Sequence, residues 1–401
     1  MRASRWTAVL AATAVIGVAG CGTVHEPAAA RSAKAGASTP GRSASKSLPP
    51  PGTGPTDGRP AGGVPAGFAA TSVTWVSPDE AFVLGTAPCA HAPCTSIART
   101  LNRGASWTGL PAPAVPIGAP GQPGGVWGIR FATPEHGFVF GDGLWETTDG
   151  GARWTRAVTP HGLVLSLAIV PEQVLAIIAP CIPEGGCQHP GTLARRALSG
   201  GPWIFVASAA STSLIDPDDL IATQAGVAAV VVVRRDVLVT GNGGITRTVH
   251  PIPCPSAAQA PSVAVISATR LAILCTGQGY TGHTIKQVYV SGDDGAHWTP
   301  AGQPSPDGDA GTLAAAASGQ LTIATESAAS WLFYSPDAGA SWRIVYQQDD
   351  GGAGWADLGF TTATDGVVVR GPADSDGNST QRPGQLLLTG DAGASWYQVR
   401  F

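Results

Sequence analysis

An eight-residue turn signature, Ser/Thr-x-Asp/Asn-x-Gly-x-x-Trp, occurs five times in this 401-residue chain and limits what it can fold into. The copies run Thr100 to Trp107, Thr147 to Trp154, Ser291 to Trp298, Ser335 to Trp342 and Thr389 to Trp396. Their tryptophans stand 47, 144, 44 and 54 residues apart, so the long gap spans about three periods and should hold two degenerate copies. Both are there. Ser199-Gly-Gly-Pro-Trp203 keeps the tryptophan without the acid, and Thr240-Gly-Asn242-Gly-Gly244-Ile-Thr246-Arg247 lacks only the tryptophan. The ladder 107, 154, 203, 247, 298, 342, 396 gives seven units. A period in the mid-forties with several short strands per unit predicts a β-propeller and not a helical solenoid.

Each copy has the chemistry of a tight hairpin. Asp149, Asp293, Asp337 and Asp391, with Asn102 and Asn242 in the variant copies, offer a short side-chain oxygen to backbone N–H groups further along the turn. Gly151, Gly295, Gly339 and Gly393 supply a position with φ > 0. The tryptophans Trp107, Trp154, Trp203, Trp298, Trp342 and Trp396 open the next strand and bring a large ring to bury. Ser-Pro-Asp337-Ala-Gly339-Ala-Ser-Trp342 and Thr-Gly-Asp391-Ala-Gly393-Ala-Ser-Trp396 resemble the Asp-box, or BNR-repeat, propellers. The resemblance extends over residues 66–401 and implies an all-β, seven-bladed β-propeller with four antiparallel strands per blade. It places the box between the third and fourth strands. A reactive group would not recur once per blade at the same hairpin position, so these acids read as turn-builders and not as catalysts.

The N-terminal stretch carries an address. Arg2 and Arg5 precede an apolar run from about Trp6 to Val18, and Val18-Ala19-Gly20 stands directly before Cys21. A basic n-region, a short h-region and small residues describe a secretory leader, too short to span a bilayer. Small residues before a cysteine resemble the lipobox of bacterial lipoproteins, which implies cleavage after residue 20 and acylation of Cys21. Residues 21–65 then form a tether of Ala, Ser, Gly and Pro, with too little apolar surface to offset the entropy of ordering it. The chain is expected to be exported and held at the outer face of the cytoplasmic membrane, touching the membrane through the lipid anchor only. Its net charge is −4, and −6 once Arg2 and Arg5 leave with the leader, which excludes a basic field for nucleic acid.

Six further cysteines fall into neighbouring pairs: Cys89 with Cys94, Cys181 with Cys187, and Cys254 with Cys275. An even count in an exported chain argues for disulfides, although proximity in sequence alone does not fix which of fifteen pairings is used. The same address argues against a zinc site in Cys89-Ala-His91-Ala-Pro-Cys94. Asp216-Pro-Asp218-Asp219 and Asp374-Ser-Asp376-Gly-Asn378 read as solvated loop acids, because neither has the terminal glutamate of a calcium-binding loop. No metal and no cofactor is expected.

Blade patterns are clearest over residues 126–158, with strands at Val126 to Phe131, His136 to Gly141, Gly143 to Thr148 and Trp154 to Val158. They recur at Trp355 to Phe360, Gly366 to Arg370, Gln385 to Thr389 and Trp396 to Phe401. The segment Val227 to Val233 reads as a second strand covered on both faces. The last fourth strand ends with the given sequence, so closure of the ring is left either to packing or to an added strand near residues 60–68.

In a propeller the innermost strands line the channel, and Trp127, Arg130, Trp355 and Asp357 are the channel-mouth binding candidates. The run Glu135-His136-Gly137-Phe138-Val139-Phe140-Gly141 ahead of an Asp box also resembles the blades of Ycf48-like photosystem assembly factors. Sortilin-like propellers and the sialidases share the hairpin. A sialidase needs three arginines around a carboxylate, a tyrosine nucleophile and an acid/base aspartate. The five tyrosines, Tyr280, Tyr289, Tyr334, Tyr346 and Tyr397, are not placed for that role, and the Arg-Ile-Pro signature is missing. The preferred expectation is a non-enzymatic, monomeric module that binds an extracytoplasmic protein. The alternative is an exo-sialidase-like glycoside hydrolase or a propeller that binds a cell-envelope glycan.

Overall fold

The computed structural model describes residues 62–89, 94–159, 162–170, 172–179, 191–206, 215–222, 228–232, 236–240, 245–246, 248–255, 259–309, 311–371 and 384–401. Only the backbone is described over 215–222, 228–232 and 259–260. These residues form seven antiparallel sheets and no helix, and in each sheet four strands follow chain order from the inside outward, with one added outer strand in the first. The innermost strands are Ala69–Trp75, Val126–Phe131, Leu163–Val170, Ile215–Ala222, Gln259–Val265, Gly311–Ala315 and Trp355–Phe360. Each touches the next, and the seventh touches the first, so the sheets close into a ring. The fold is an all-β propeller of four-stranded antiparallel blades.

The apolar core is distributed between blades, as a ring of sheets requires. One cluster joins Phe82, Leu84 and Ile97 of blade one to Ile129 and Phe131 of blade two. Another joins Phe138 and Phe140 of blade two to Leu167, Leu175 and Ile177 of blade three, and others fill the gaps further round. The gap between blades seven and one holds Phe68, Val73 and Trp75 against Val367, Val369 and Leu386.

Ring closure uses packing without a shared strand. Gly62–Gly63 does add a fifth strand, but it pairs with Thr108–Leu110 on the outer edge of blade one and leaves blade seven untouched. All four strands of blade seven come from residues 355–398. The outermost of them is shorter than Trp396 to Phe401: pairing is confined to Tyr397–Gln398. Phe401 instead turns onto blade one, with its ring 4.7 Å from Phe68 and 5.1 Å from Trp107. In blade two the outermost strand is likewise cut to Thr155–Arg156.

The turn signatures form one repeated hydrogen-bond pattern. The first-position hydroxyl of Thr100, Thr147, Ser291, Ser335 and Thr389 accepts the N–H of the box glycine at 2.7–3.0 Å. It donates to the third-position oxygen of Asn102, Asp149, Asp293, Asp337 or Asp391. That oxygen accepts the N–H four residues on at 2.8–2.9 Å. The glycine is left-handed in each, as at Gly393 with φ 95°, and the residue before it is left-handed too. The indoles of Trp107, Trp342 and Trp396 donate to the carbonyl of their own box glycine. Trp154 and Trp203 reach back to Pro111 and Val158 of the preceding blade. The Trp298 indole N–H is buried with no partner among the described residues. Asn242 lies outside the described residues, and Thr240 of that copy donates to Thr246 O at 2.7 Å.

Disulfides join Cys89 to Cys94 and Cys254 to Cys275, with Cα atoms 5.8 and 5.3 Å apart. Such bridges are consistent with an extracytoplasmic address. Cys181, Cys187 and Cys21 lie outside the described residues.

Asp216 to Asp219 are not loop residues but lie inside the innermost strand Ile215–Ala222 of blade four. Pairing jumps there from Ile215↔Val232 to Leu220↔Val230, so the acidic run is carried as an irregularity around Pro217, which has no N–H for a ladder bond. Asp374 to Asn378 lie outside the described residues.

Candidate functional site

Six of the seven innermost strands carry a break in register, and these breaks aim the central side chains. A β-bulge turns one residue out of the ladder and re-directs its neighbours. Trp127 is the extra residue in blade two, and Leu165 holds the same place in blade three. The Trp127 indole donates to the Leu165 carbonyl at 3.3 Å, so the two bulges satisfy each other across the blade boundary. Trp355 does the equivalent from blade seven, donating to Thr325 O of blade six at 2.8 Å.

Asp357 lies in the bulge of blade seven and has φ 50°, a left-handed conformation that Asp tolerates better than most residues. The bend carries its carboxylate into blade one. Oδ2 accepts the Ser72 hydroxyl and the Val73 N–H, the latter at 2.8 Å. Oδ1 accepts Arg130 Nη2 from blade two at 2.7 Å. Arg130 Nη1 donates to Ile129 O at 2.7 Å and to the Ser72 hydroxyl at 3.3 Å. One aspartate therefore ties the innermost strands of blades seven, one and two together.

All four channel-mouth candidates are buried: Trp127, Arg130, Trp355 and Asp357 are each at most 5% exposed. Arg130 and Asp357 face each other, and both indoles face a neighbouring blade. Arginine and aspartate in alternate-blade strands were legible in sequence as charged inner residues. Their pairing was not, because 227 positions separate them and a bulge sets the geometry.

A second polar region, missed in the sequence, lies on the loops that enter the innermost strands and join second to third strands in blades five to seven. These loops contact one another. Ser327 Oγ donates to Gly282 O, and Gly351 N donates to Ala328 O. Lys286 is buried, and its ammonium donates to the carbonyls of Thr284, Pro306, Asp307 and Gly308 at 2.8–3.1 Å. Burial pulls its pKa down to about 8, against the attraction of Asp307 and Asp309. Burial, with Asp350 nearby, pushes Glu326 up to about 7. Arg370 pairs with Asp350, whose carboxylate also accepts the Ser330 hydroxyl, with Oδ1 and Oδ2 at 2.9 and 2.8 Å from Ser330 Oγ. The exposed margin of this face carries Asp309 and Asp349, and half-buried Asp307 lies 3.4 Å from His283. A lone buried lysine in a chain poor in lysine was the available signal.

A third network lies between blades two and three. Glu146 accepts from Arg196 at 3.1 Å and meets His136 at 2.7 Å. Burial opposes its ionisation, but the hydrogen bonds from His136 and Arg196 outweigh that and hold its pKa low. The Arg196 guanidinium also lies over the rings of Phe138 and Trp203.

The tyrosines are dispersed. Tyr334 is buried beneath Arg343 in a third strand, and Tyr280 and Tyr397 are exposed. Tyr346 donates to Gln348 at 2.8 Å, and burial raises its pKa. Among the described residues no three His, Cys, Asp or Glu side chains converge as a metal site would need.

No protein-family model matches the chain, and no curated protein matches it. Solved structures do. The Ycf48 protein of Cyanidioschyzon merolae is similar at 16% identity and a TM-score of 0.52, over 82% of this chain and 98% of that one. Ycf48 bound to D1 peptide is similar at 15% identity and a TM-score of 0.49, over 86% and 97%. U3-55K is similar at 11% identity and a TM-score of 0.50, over 80% and 95%. At these identities what the chain shares with its neighbours is the β-propeller fold.

Proposed function

We propose that this chain is a lipid-anchored, extracytoplasmic Asp-box propeller of seven blades that acts as a non-enzymatic protein-binding or assembly module. The supporting observation is the use of its buried arginines. Arg130, Arg370 and Arg196 each donate to a carboxylate of this same chain, Asp357, Asp350 and Glu146. A guanidinium neutralised in place has little left to offer a substrate carboxylate, which a sialidase-like site would demand. What faces solvent at the channel mouth is instead a set of mutually bonded loops with an acidic margin. Such a surface suits a protein contact that uses area and polar complementarity.

The test is cross-linking in the native envelope through a photoreactive residue at Tyr280 or Asp349, followed by purification. The affinity tag belongs in the tether, since Phe401 packs on Phe68 and Trp107. A near-stoichiometric protein attached at either position supports the module. Glycan alone on those residues, or hydrolysis of a sialoside by the purified protein, overturns it for the glycosidase or glycan-binding alternative. The anchor is checked separately, because Cys21→Ala should release the protein from the membrane fraction.

A further inference from the structure

We infer that the outer rim of blades two and three rests directly on an anionic phospholipid surface, a contact additional to any acyl anchor. Three large apolar side chains stand in water there. Val158 is 87% exposed, Phe205 53% and Ile204 49%. They belong together. The Trp203 indole donates to Val158 O at 3.1 Å, which ties the end of blade two to the outermost strand of blade three, Ile204–Phe205. Trp203 itself is half-buried, with its ring against Arg196. Isolated exposed apolar residues need no explanation, but a tryptophan, a phenylalanine, an isoleucine and a valine on one rim do.

The charges around them select the partner. Arg153 and Arg156 are exposed on the blade-two edge, and Arg195 is the cross-strand neighbour of Ile204. None of the three is in an ion pair among the described residues, and Arg156 lies over the Trp145 ring. Of the nearby carboxylates, Glu146 is already paired with Arg196 and bonded to His136, and the exposed Asp149, bonded only to Thr147 and the Arg153 N–H, is one charge against three arginines. A net-acidic chain thus presents a locally basic, aromatic-apolar edge, the combination that partitions into the headgroup region of an anionic bilayer.

The rim is tested without the anchor, in the full chain carrying Cys21→Ala. Flotation with vesicles of phosphatidylglycerol and phosphatidylcholine in equal parts should recover the protein, and vesicles of phosphatidylcholine alone should recover little. Val158→Ser, Ile204→Ser and Phe205→Ser together should lower binding at least tenfold. Arg153→Gln with Arg156→Gln should lower it about fivefold for each charge removed. Ile344→Ser with Tyr397→Ser, on blades six and seven, should leave it unchanged. If the apolar triple variant does not fold, the arginine pair decides alone. Equal flotation of rim variants and parent overturns the inference, as does flotation indifferent to lipid charge, or a parent that self-associates through this rim and never floats. Failure of the protein-binding reading would leave these outcomes untouched, because no protein partner enters the assay.

Discussion

The junction between blades two and three and the junction between blades seven and one do the same job with different chemistry. The first is apolar along its inner strand and keeps its charges further out: all eight residues of Leu163–Val170 are buried, Phe138, Leu167, Leu175 and Ile177 fill the gap, and the Glu146–Arg196 pair joins the third strands. The second adds to its apolar cluster a buried aspartate in a left-handed bulge, bonded to serine, a backbone N–H and arginine. Apolar packing is generous about small shifts, whereas a hydrogen-bonded ion pair is satisfied in only one register. Blades two and three are joined by a chain that enforces their order. Blades seven and one are sequence-distant and meet only where the ring closes, and there the fully buried ion pair of the inner strands sits. A buried pair is weak evidence for net stability, so its role at the seam is better described as fixing alignment.

Removing one partner separates the two junctions most strongly. Asp357→Ala should destabilise by about 3–5 kcal/mol, since it strands a buried guanidinium and puts Ala at φ > 0. The loss should appear as faster amide exchange first in blades one and seven. Exchange rising uniformly round the ring would remove the special status of the seam. Leu175→Ala, in the apolar junction, should cost about 2–5 kcal/mol and lower the melting temperature without selective exchange at the seam. Replacing both charges by Arg130→Met and Asp357→Asn should cost less than the sum of the single changes, and a double-mutant cycle with no coupling would refute the pairing as described.

The pH dependence is smaller and has a definite sign. Glu326 has its folded-state pKa raised to about 7 from an ordinary 4.5, so the folded state holds a proton the unfolded chain has released. Its contribution is fully present below pH 4.5 and is lost as pH rises through 7. Glu326→Gln should therefore stabilise the protein above pH 7 and converge with the parent below 4.5, measured by denaturant midpoints across that range. Lys286 has the opposite slope, its folded value of about 8 lying below the ordinary 10.5, so stability linked to it rises between those two values. The smallest effect is expected at a single turn: Asp149→Ala should cost about 1 kcal/mol, because one hydrogen-bonded hairpin out of several is loosened.

Much of this architecture is legible in the residues. Five turns with glycine and Asp or Asn, at a recurring period of about 44–54 residues, dictate hairpins, and alternating apolar runs between them dictate strands, so Val126–Phe131, Trp355–Phe360, Gly366–Arg370 and Gln385–Thr389 lie where the pattern puts them. The outermost strands are over-read, since a strand with one free edge ends wherever its partner stops. The inner bulges are invisible, because Trp127 and Leu165 look like ordinary strand residues and only their neighbours in the next blade make the break favourable. The same holds at Asp357. Charge and position on an inner strand were apparent, but a left-handed turn that hides the carboxylate has no marker in Trp-Ala-Asp-Leu-Gly-Phe. The cage around Lys286 is equally silent, as four backbone carbonyls carry no residue signature.

The two-residue pairing of Gly62–Gly63 also has a mechanical meaning. Any load drawn through the N-terminal segment meets this pairing before it meets the ring, and only Gly62↔Gly109 and Gly63↔Thr108 resist it. Once they part, the chain can pay out only to Val64, which packs against the apolar cluster between blades one and seven. Two residues drawn straight give a slack of roughly 7 Å. The clip would break and re-form without disturbing a blade, so the body could be tugged away from its mooring and return with the ring intact.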